Sequence, residues 1–600
     1  MFQDFTETTD PGNGRPRIAA VRAQMAAAGI DAFLVPRADA HQGEYVAERD
    51  ARLAWLTGFT GSAGIAVIGQ KTAALFVDGR YTIQAAAQVD TGILTQKSIP
   101  GDKVSDYLTE TLPKGATVGF DPWLHTQKQI DELREKLEQA GIALQAVENP
   151  IDIVWTDQPP PPAGAASVHP DDLAGRSSAE KRAEIAAALK AGHVQAAVVT
   201  LPDSISWLLN LRGSDLPRVP VVQAFAIIHN SGAVTLFTDG TKIGAEVAAH
   251  LGPEVIFAGI DDFAGALAAL AGPVGVDKGS APVWVADRLR AAEVEVTWMR
   301  DPCILPKACK TAAELNGARA AHLRDAAAVV EFLAWLADEA PGGTLTEIDI
   351  VRALEAKRRA TNALRDISFD TISGAGPNGA IVHYRVTEAT NRAVRPGELL
   401  LVDSGGQYAD GTTDITRTIA IGPAPEAARK PFTLVLRGMI AISRARWPEG
   451  LAGRDLDALA RAALWAEGFD YDHGTGHGVG SYLSVHEGPQ SLSRRGAEPL
   501  RPGMILSNEP GYYRDGAFGI RIENLVTIRP AETPPGGDRP MLSFETLTHV
   551  PIDLALVDAA YLPDAERQWL NAYHQDVREM ISPLVSSAAK AWLERATVPV

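Results

Sequence analysis

The chain has 600 residues, too many for a single hydrophobic core, so two to four domains are expected. Its 46% hydrophobic and 22% charged content is that of an ordinary globular protein. The formal net charge of -18 argues against a general nucleic-acid binder, which carries basic surface to neutralise phosphates.

The opening stretch, MFQDFTETTDPGNGRPR, holds acidic residues and no apolar segment of the kind a secretory signal needs. Residues 16–35 then predict a helix running into an apolar strand, and residues 180–200 repeat that pattern. Trp55-Leu56 precedes Gly61-Ser62, and Trp207-Leu208 precedes Gly213-Ser214 at the same spacing. The copies close on Leu75-Phe76-Val77-Asp78-Gly79 and Leu236-Phe237-Thr238-Asp239-Gly240, so two related α/β domains are the economical reading. The proline-rich segment 158–164 marks a boundary between them, and a second boundary falls at 301–310. The expected division is therefore 1–155, 156–306 and 307–600. The apolar stretch 263–276 is too short, and too broken by Gly and Pro, to span a bilayer. Cys303 and Cys309, the only cysteines, read as reduced thiols in a connector, so a cytoplasmic protein without a membrane partner is expected.

The third segment begins with a helical pattern over 312–337, whose apolar face is Leu315, Ala318, Leu323, Ala326, Val329, Phe332 and Leu336. After it come the residues that carry chemistry. An apolar strand ends at Asp403, Asp410-Gly411 supplies a hairpin turn, and a return strand from Thr412 to Ile421 carries Asp414 on one face. The glycine-rich run His473-Gly474-Thr475-Gly476-His477-Gly478 allows backbone to approach a site closely. His486-Glu487 follows, then Glu509 at the end of another strand, then a strand from Phe518 to Asn524 with Arg521 and Glu523 on one face. Each of these residues alone reads as a turn former, a solvated face or a loop brace. Four carboxylates and a histidine at strand ends are different: if they converge, their charges repel unless cations neutralise them. Oxygen ligands with one imidazole and no thiolate suit Mn²⁺ or a similar ion.

The runs DSGGQYADGTTDITRT, GTGHGVG, SVHEGP, SNEPGYY and GIRIENL resemble, in order and spacing, the pita-bread metallopeptidases, and their large three-domain aminopeptidase P branch above all. The likeness extends to DAHQGEYVA, GFTGSAG, DGRYTIQAA, WLLNLRGSD, FETLTHVPID and WLNAYH, so it covers nearly the whole chain. It implies two creatinase-like α/β domains followed by a mixed α+β pita-bread catalytic domain with a C-terminal extension. It also implies two divalent metal ions per chain, Mn²⁺ foremost with Zn²⁺ or Co²⁺ as alternatives. Asp403 then binds one metal, Asp414 and Glu523 bridge both, and His477 and Glu509 complete the other. His383, His473 and His486 match active-site histidines that are not ligands. Arg80 matches a substrate-contacting arginine, and Arg521 is counted with the substrate-binding residues and as a holder of a ligand carboxylate. The implied reaction is removal of a residue that precedes proline by a hydroxide bridging the metals, with Glu509 moving the proton. Peptides beginning Xaa-Pro are the expected partners, in a homodimer. A prolidase cutting only dipeptides, a metal-free creatinase-like hydrolase and a non-catalytic binding module are the rivals.

Overall fold

A computed structural model describes residues 1–7, 9–99 and 101–600. Met1–Glu7, Asp172–Gly175 and Leu305–Val600 form one compact unit; Thr8–Asp171 with Arg176–Ile304 forms the other. Among the described residues, no helix is long and apolar enough to cross a membrane.

The repeat is visible as two sheets of the same design. Helix α1 (Gly14–Ala27) buries Ile18, Val21 and Met25, which recur at helical spacing on one face. It leads into β1 (Ala32–Pro36), and β2 (Ile65–Gly69), β3 (Ala73–Asp78), β4 (Thr95–Ile99), β5 (Thr117–Phe120) and β6 (Ala143–Ala146) complete a six-stranded sheet in the order β4-β3-β2-β1-β5-β6. Its β1–β2 and β2–β3 pairs are antiparallel and the others parallel. The second copy starts with helix α2 (Ser178–Ala191), capped by a reciprocal Ser177–Glu180 pair. Its strands are β7 (Ala196–Val199), β8 (Phe225–His229), β9 (Val234–Phe237), β10 (Val255–Ala258), β11 (Val274–Val276) and β12 (Val296–Trp298). Their order, β10-β9-β8-β7-β11-β12, and their pair directions repeat those of the first sheet. The halves pack on each other: Trp123 stacks on Trp284 at 4.0 Å, and Gln223 donates to Asp39 at 3.0 Å.

Both copies keep the same corner after the third strand. Asp78 accepts the Arg80 N–H at 3.0 Å, and Asp239 accepts the Thr241 N–H at 2.9 Å. Arg80 then folds its guanidinium back on Asp78 (Nη2–Oδ2 2.7 Å), whereas the Thr241 hydroxyl bonds Asp239 and the next residue, Lys242, is buried against Asp215 at 2.9 Å.

The seven N-terminal residues depart from the expected division at 1–155, because they pack with the C-terminal unit. The Phe2 N–H donates to Glu355, Gln3 exchanges two hydrogen bonds with Thr371, and Phe5 joins an apolar cluster with Ile348, Val351 and Ile372. Within that unit helix α3 (Ala312–Glu339) begins at a Thr311–Glu314 capping box. It buries the predicted Ala318, Ala326, Val329, Phe332 and Leu336. A three-stranded sheet of β13 (Ile372–Ala375), β14 (Leu399–Ser404) and β15 (Ile415–Ala420) has β14 at its centre. A six-stranded sheet includes β16 (Gly476–Gly478), β17 (Glu487–Leu492), β18 (Ile505–Asn508) and β19 (Asn524–Ala531). The C-terminal helix α4 (Asp564–Ile581) buries Leu570, Val577 and Ile581 in the same core as Val402 and Ile415.

Buried neutral histidines make this fold acid-sensitive. Burial, then the nearby Arg417 and Arg578, push His574 from its ordinary 6.5 down to about 3, and burial pushes His125 down to about 4. Between pH 6.5 and those values the unfolded chain binds protons that the folded chain refuses. Stability is therefore expected to fall as pH drops through that window, by up to about 1.4 kcal/mol per pH unit for each group. Thermal unfolding followed from pH 7 to pH 4 checks this, and His574→Gln should flatten part of the slope.

Candidate metal centre

Asp403 lies on β14, opposite Thr416 of β15. The continuous return strand expected from Thr412 to Ile421 is not formed; the ladder is interrupted at Thr413 and Asp414. Thr413 is tied elsewhere: its N–H donates to Gly406 O and its hydroxyl accepts the Gly406 N–H, both at 2.9 Å, while its carbonyl accepts Ser368 Oγ at 2.8 Å. Asp414 therefore reaches the cluster from a strand break. Glu523 does the same. The strand Phe518–Arg521 ends two residues before it, β19 starts just after it, and its N–H donates to Thr416 O at 3.1 Å. Arg521 and Glu523 nonetheless share a side, because the Thr416 hydroxyl meets both, at 3.2 and 2.8 Å.

His477 is held by close backbone packing. A Cβ on Gly476 would lie 1.9 Å from Ser507 O, so only glycine lets β16 approach here. The His477 N–H then donates to Ser507 Oγ at 2.9 Å, and its Nδ1 lies 2.9 Å from Gly478 O. That contact directs Nε2 at Asp414 Oδ2 (3.4 Å) and Glu509 Oε1 (3.5 Å). Glu509 follows β18, its N–H donating to Thr475 O at 2.8 Å and Ser507 Oγ donating to its carboxylate at 3.0 Å.

One ligand atom from each of Asp414, His477 and Glu523 falls within 4.8 Å of the others. Asp403, Asp414 and Glu523 are buried, and each keeps one carboxylate oxygen without a hydrogen-bond partner among the described residues. Orphaned buried oxygens of this kind are costly unless a cation meets them. The electrostatics agree. Burial pushes Asp403 up to about 7 against the pull of Arg521, with Asp414 adding repulsion. Burial and then repulsion from Asp414, Glu509 and Asp403 drive Glu523 well above the carboxylate range. Glu509 is raised by burial despite His477. Burial alone would lower His477, but the Asp414 and Glu509 carboxylates lift it to about 9. The donor set, all oxygen save one imidazole, fits hard or borderline divalent cations.

Arg521 is almost wholly buried, and its guanidinium bonds Asp403 Oδ2 at 2.6 Å, Thr416 Oγ1 at 3.2 Å and Tyr513 OH at 2.6 Å. These hydrogen bonds make it a support for the carboxylate, and burial leaves little room for peptide contact. Tyr513 OH also meets His473 Nε2 at 2.9 Å, so His473 is wired to Asp403 through two side chains. Sequence reasoning missed Tyr513 and Thr416. Nothing in SNEPGYY separates Tyr513 from Tyr512, and strand alternation puts Thr416 on the side of Asp414 without giving it a role. The His486 ring lies 4.3 Å from that of His477. His383 is in the turn after the 3-10 helix Gly376–Ala380, which sits on the Arg521 strand: a Cβ on Gly519 would be 1.7 Å from Gly379 O. Arg80 belongs to the other compact unit. Glu487, next to His486 in sequence, has a fully buried side chain that pairs with Lys307 Nζ at 2.8 Å and with Lys310.

Comparison with known proteins agrees with this construction. Residues 316–530 match the model of metallopeptidase family M24, and 540–600 match the C-terminal region of that family. Residues 17–154 and 157–314 each match a creatinase/prolidase N-terminal domain. The chain is 40% identical to a probable Xaa-Pro aminopeptidase P of Aspergillus fumigatus, over 98% of this chain and 93% of that one. It is 42% identical to aminopeptidase P2 of Arabidopsis thaliana, over 95% and 86%. Among solved structures, the X-prolyl aminopeptidase of Caenorhabditis elegans, described as a cytosolic enzyme with a di-nuclear active site, superposes with a TM-score of 0.94 at 33% identity, covering 98% of this chain and all of that one. The chain thus belongs to the M24 metallopeptidases, in the Xaa-Pro aminopeptidase P family, with two creatinase-like domains preceding a pita-bread catalytic domain.

Proposed function

We propose that this chain is a metal-dependent aminopeptidase that hydrolyses the bond between an N-terminal residue and a following proline. The observation that carries the reading is the buried cluster of carboxylates with orphaned oxygens, set in a chain whose whole length matches Xaa-Pro aminopeptidases P. Asp403, Asp414, His477, Glu509 and Glu523 would hold two divalent cations, Mn²⁺ in preference to Zn²⁺ or Co²⁺. Bound there, such ions supply a water of lowered pKa and polarise a carbonyl.

The chain's own groups supply the rest. Glu509, with its proton affinity raised by burial, takes a proton from water and passes it to the proline nitrogen, which has no N–H of its own. His486 and His383 donate toward the carbonyl oxygen as charge grows on it. His473 and Arg521 fix Tyr513 and Asp403 in place. Arg80 serves as a substrate-binding residue. We place the enzyme in the cytoplasm as a homodimer, acting on peptides and on neither nucleic acid nor membrane, in keeping with its net charge of -18.

A prolidase reading is disfavoured by the duplicated N-terminal half, which the Xaa-Pro aminopeptidase P relatives share along almost their full length. The complete ligand set speaks against a metal-free hydrolase or a binding module. Hydrolysis of Xaa-Pro-Yaa peptides and of Xaa-Pro dipeptides, by chelated enzyme and after adding Mn²⁺, Zn²⁺ or Co²⁺, tests the proposal. Restored cleavage of the longer peptides is expected, with Mn²⁺ most effective. Activity untouched by complete chelation, or confined to dipeptides, would sink it.

A further inference from the structure

Arg417 is a buried cation whose side-chain hydrogen bonds, among the described residues, all go to neutral groups. It stands on β15 between Thr416 and Thr418, opposite Val402, and is 4% exposed. Its Nη1 donates to Thr416 O at 2.9 Å and to Glu523 O at 2.6 Å, so one nitrogen ties together the two residues that share the Thr416–Glu523 side-chain bond. Nη2 donates to Asn524 Oδ1 at 2.8 Å, Val550 O at 2.7 Å and Tyr573 OH at 3.1 Å, and Nε donates to Pro551 O at 3.0 Å. A guanidinium buried without a carboxylate partner is unusual, since ionic groups removed from water are normally paired. Here five backbone and side-chain oxygens and one phenol replace hydration, and three of those six acceptors come from residues 550–573, in the C-terminal segment.

The arrangement has a direction. Tyr573, on α4, accepts from Arg417 and lies 2.8 Å from Val550 O and 3.1 Å from Thr548 O, so the phenol is fixed from its own segment. Arg417 in turn fixes the carbonyl of Glu523, whose N–H is held by Thr416 O and whose Oε2 is held by the Thr416 hydroxyl. The backbone of Glu523 lies in a strand break, where no ladder sets its orientation. These three holds replace the ladder. With Oε2 held by Thr416, Oε1 of Glu523 is the oxygen left without a hydrogen-bond partner among the described residues, and the residue offers a ligand atom within 4.8 Å of those of Asp414 and His477.

We infer that Arg417, seated by Tyr573 of the C-terminal helix, is the positioning residue that orients Glu523 for metal binding. The C-terminal segment thereby contributes to the metal centre without supplying a ligand. The inference rests on Glu523 being a ligand, as proposed above.

Tyr573→Phe and Arg417→Lys separate this role from simple support of the fold. Each full-length, metal-stripped variant is titrated with Mn²⁺ and with Co²⁺ by calorimetry, the Co²⁺ absorption spectrum is recorded, and the unfolding temperature is measured without metal. Affinity for at least one equivalent is expected to fall about tenfold or more, with an altered Co²⁺ band, as for lost support around metal ligands. Arg417→Lys keeps the charge but not the fork and should show the same loss. A merely structural role would lower the unfolding temperature while leaving both metal affinities and the Co²⁺ band as in the wild type, and that result overturns the inference. Glu523→Gln serves as the control. If it too binds two equivalents at wild-type affinity, the ligand assignment fails first. If only Glu523→Gln weakens binding, the ligand assignment stands and the role of Arg417 is refuted. Should Arg417→Lys not fold, Tyr573→Phe alone decides.

Discussion

Glu523→Gln is expected to lower kcat/KM on an Xaa-Pro-Yaa peptide by about a thousandfold or more while making the metal-free protein harder to unfold. Support around a metal ligand is worth about 10–100-fold in affinity, so loss of a ligand itself should exceed that. A thousandfold corresponds to roughly 4 kcal/mol of transition-state stabilisation. The opposite sign for stability comes from the charge distribution. Burial and three neighbouring carboxylates already oppose ionisation of Glu523, and glutamine removes that charge while its amide oxygen still accepts from Thr416 Oγ1. A gain on the order of 1 kcal/mol is expected from relief of like-charge repulsion, and excess Mn²⁺ should then stabilise the wild type more than the variant. Thermal unfolding of stripped and metal-loaded forms, with peptide hydrolysis alongside, checks both signs. A variant that loses activity and stability together without metal would show that the cluster is not held under mutual repulsion.

Glu487→Ala is expected to cost about 3–5 kcal/mol of stability, since removing one member of a buried ion pair leaves charge without its counter-charge. Glu487 is fully buried against Lys307 and Lys310, whose side chains are 2% and 1% exposed. Activity should fall with stability, because Glu487 directly follows His486 and opens β17. The informative companion is the triple substitution Lys307→Met, Lys310→Met and Glu487→Met, which removes both buried ammonium groups with their carboxylate and should recover part of the loss, as apolar replacements of buried ionic groups often do. Denaturant unfolding of the three proteins gives the comparison; a cost under about 1 kcal/mol for Glu487→Ala would contradict the reading of the triad.

How much of this could be read beforehand differs from residue to residue. The helix at 312–339 and both α/β copies follow from periodicity and from the shared tryptophan, glycine and aspartate order, which are local signals. The meeting of Asp414, His477 and Glu523 was only a possibility from alternation, and in the fold Asp414 and Glu523 sit in breaks of their strands. Period-two reasoning nonetheless set them on the correct side, because a short break bridged by cross-strand bonds to Thr416 and Gly406 preserves the facing of its flanks. Tyr513, Arg417, Tyr573 and Glu487 were illegible for a different reason. Each acts on a partner more distant in sequence than any periodic pattern reaches, from Arg521 eight residues away to Lys310 at a separation of 177. The attachment of Met1–Glu7 to the C-terminal unit was hidden likewise, since it depends on Glu355 and Thr371.

The two Asp-Gly corners make the molecule its own control experiment. Asp78 and Asp239 close the same turn, but the first copy places an arginine there, 27% exposed at its side chain, and the second a threonine that satisfies the aspartate by itself. The next cation in the second copy, Lys242, is turned inward to Asp215. One copy of the fold thus shows what the corner needs merely to fold, and the difference between the copies isolates what the other has added. Arg80 is surplus to the architecture, so altering it should leave the fold intact and report on function alone, whereas Lys242 offers no such freedom.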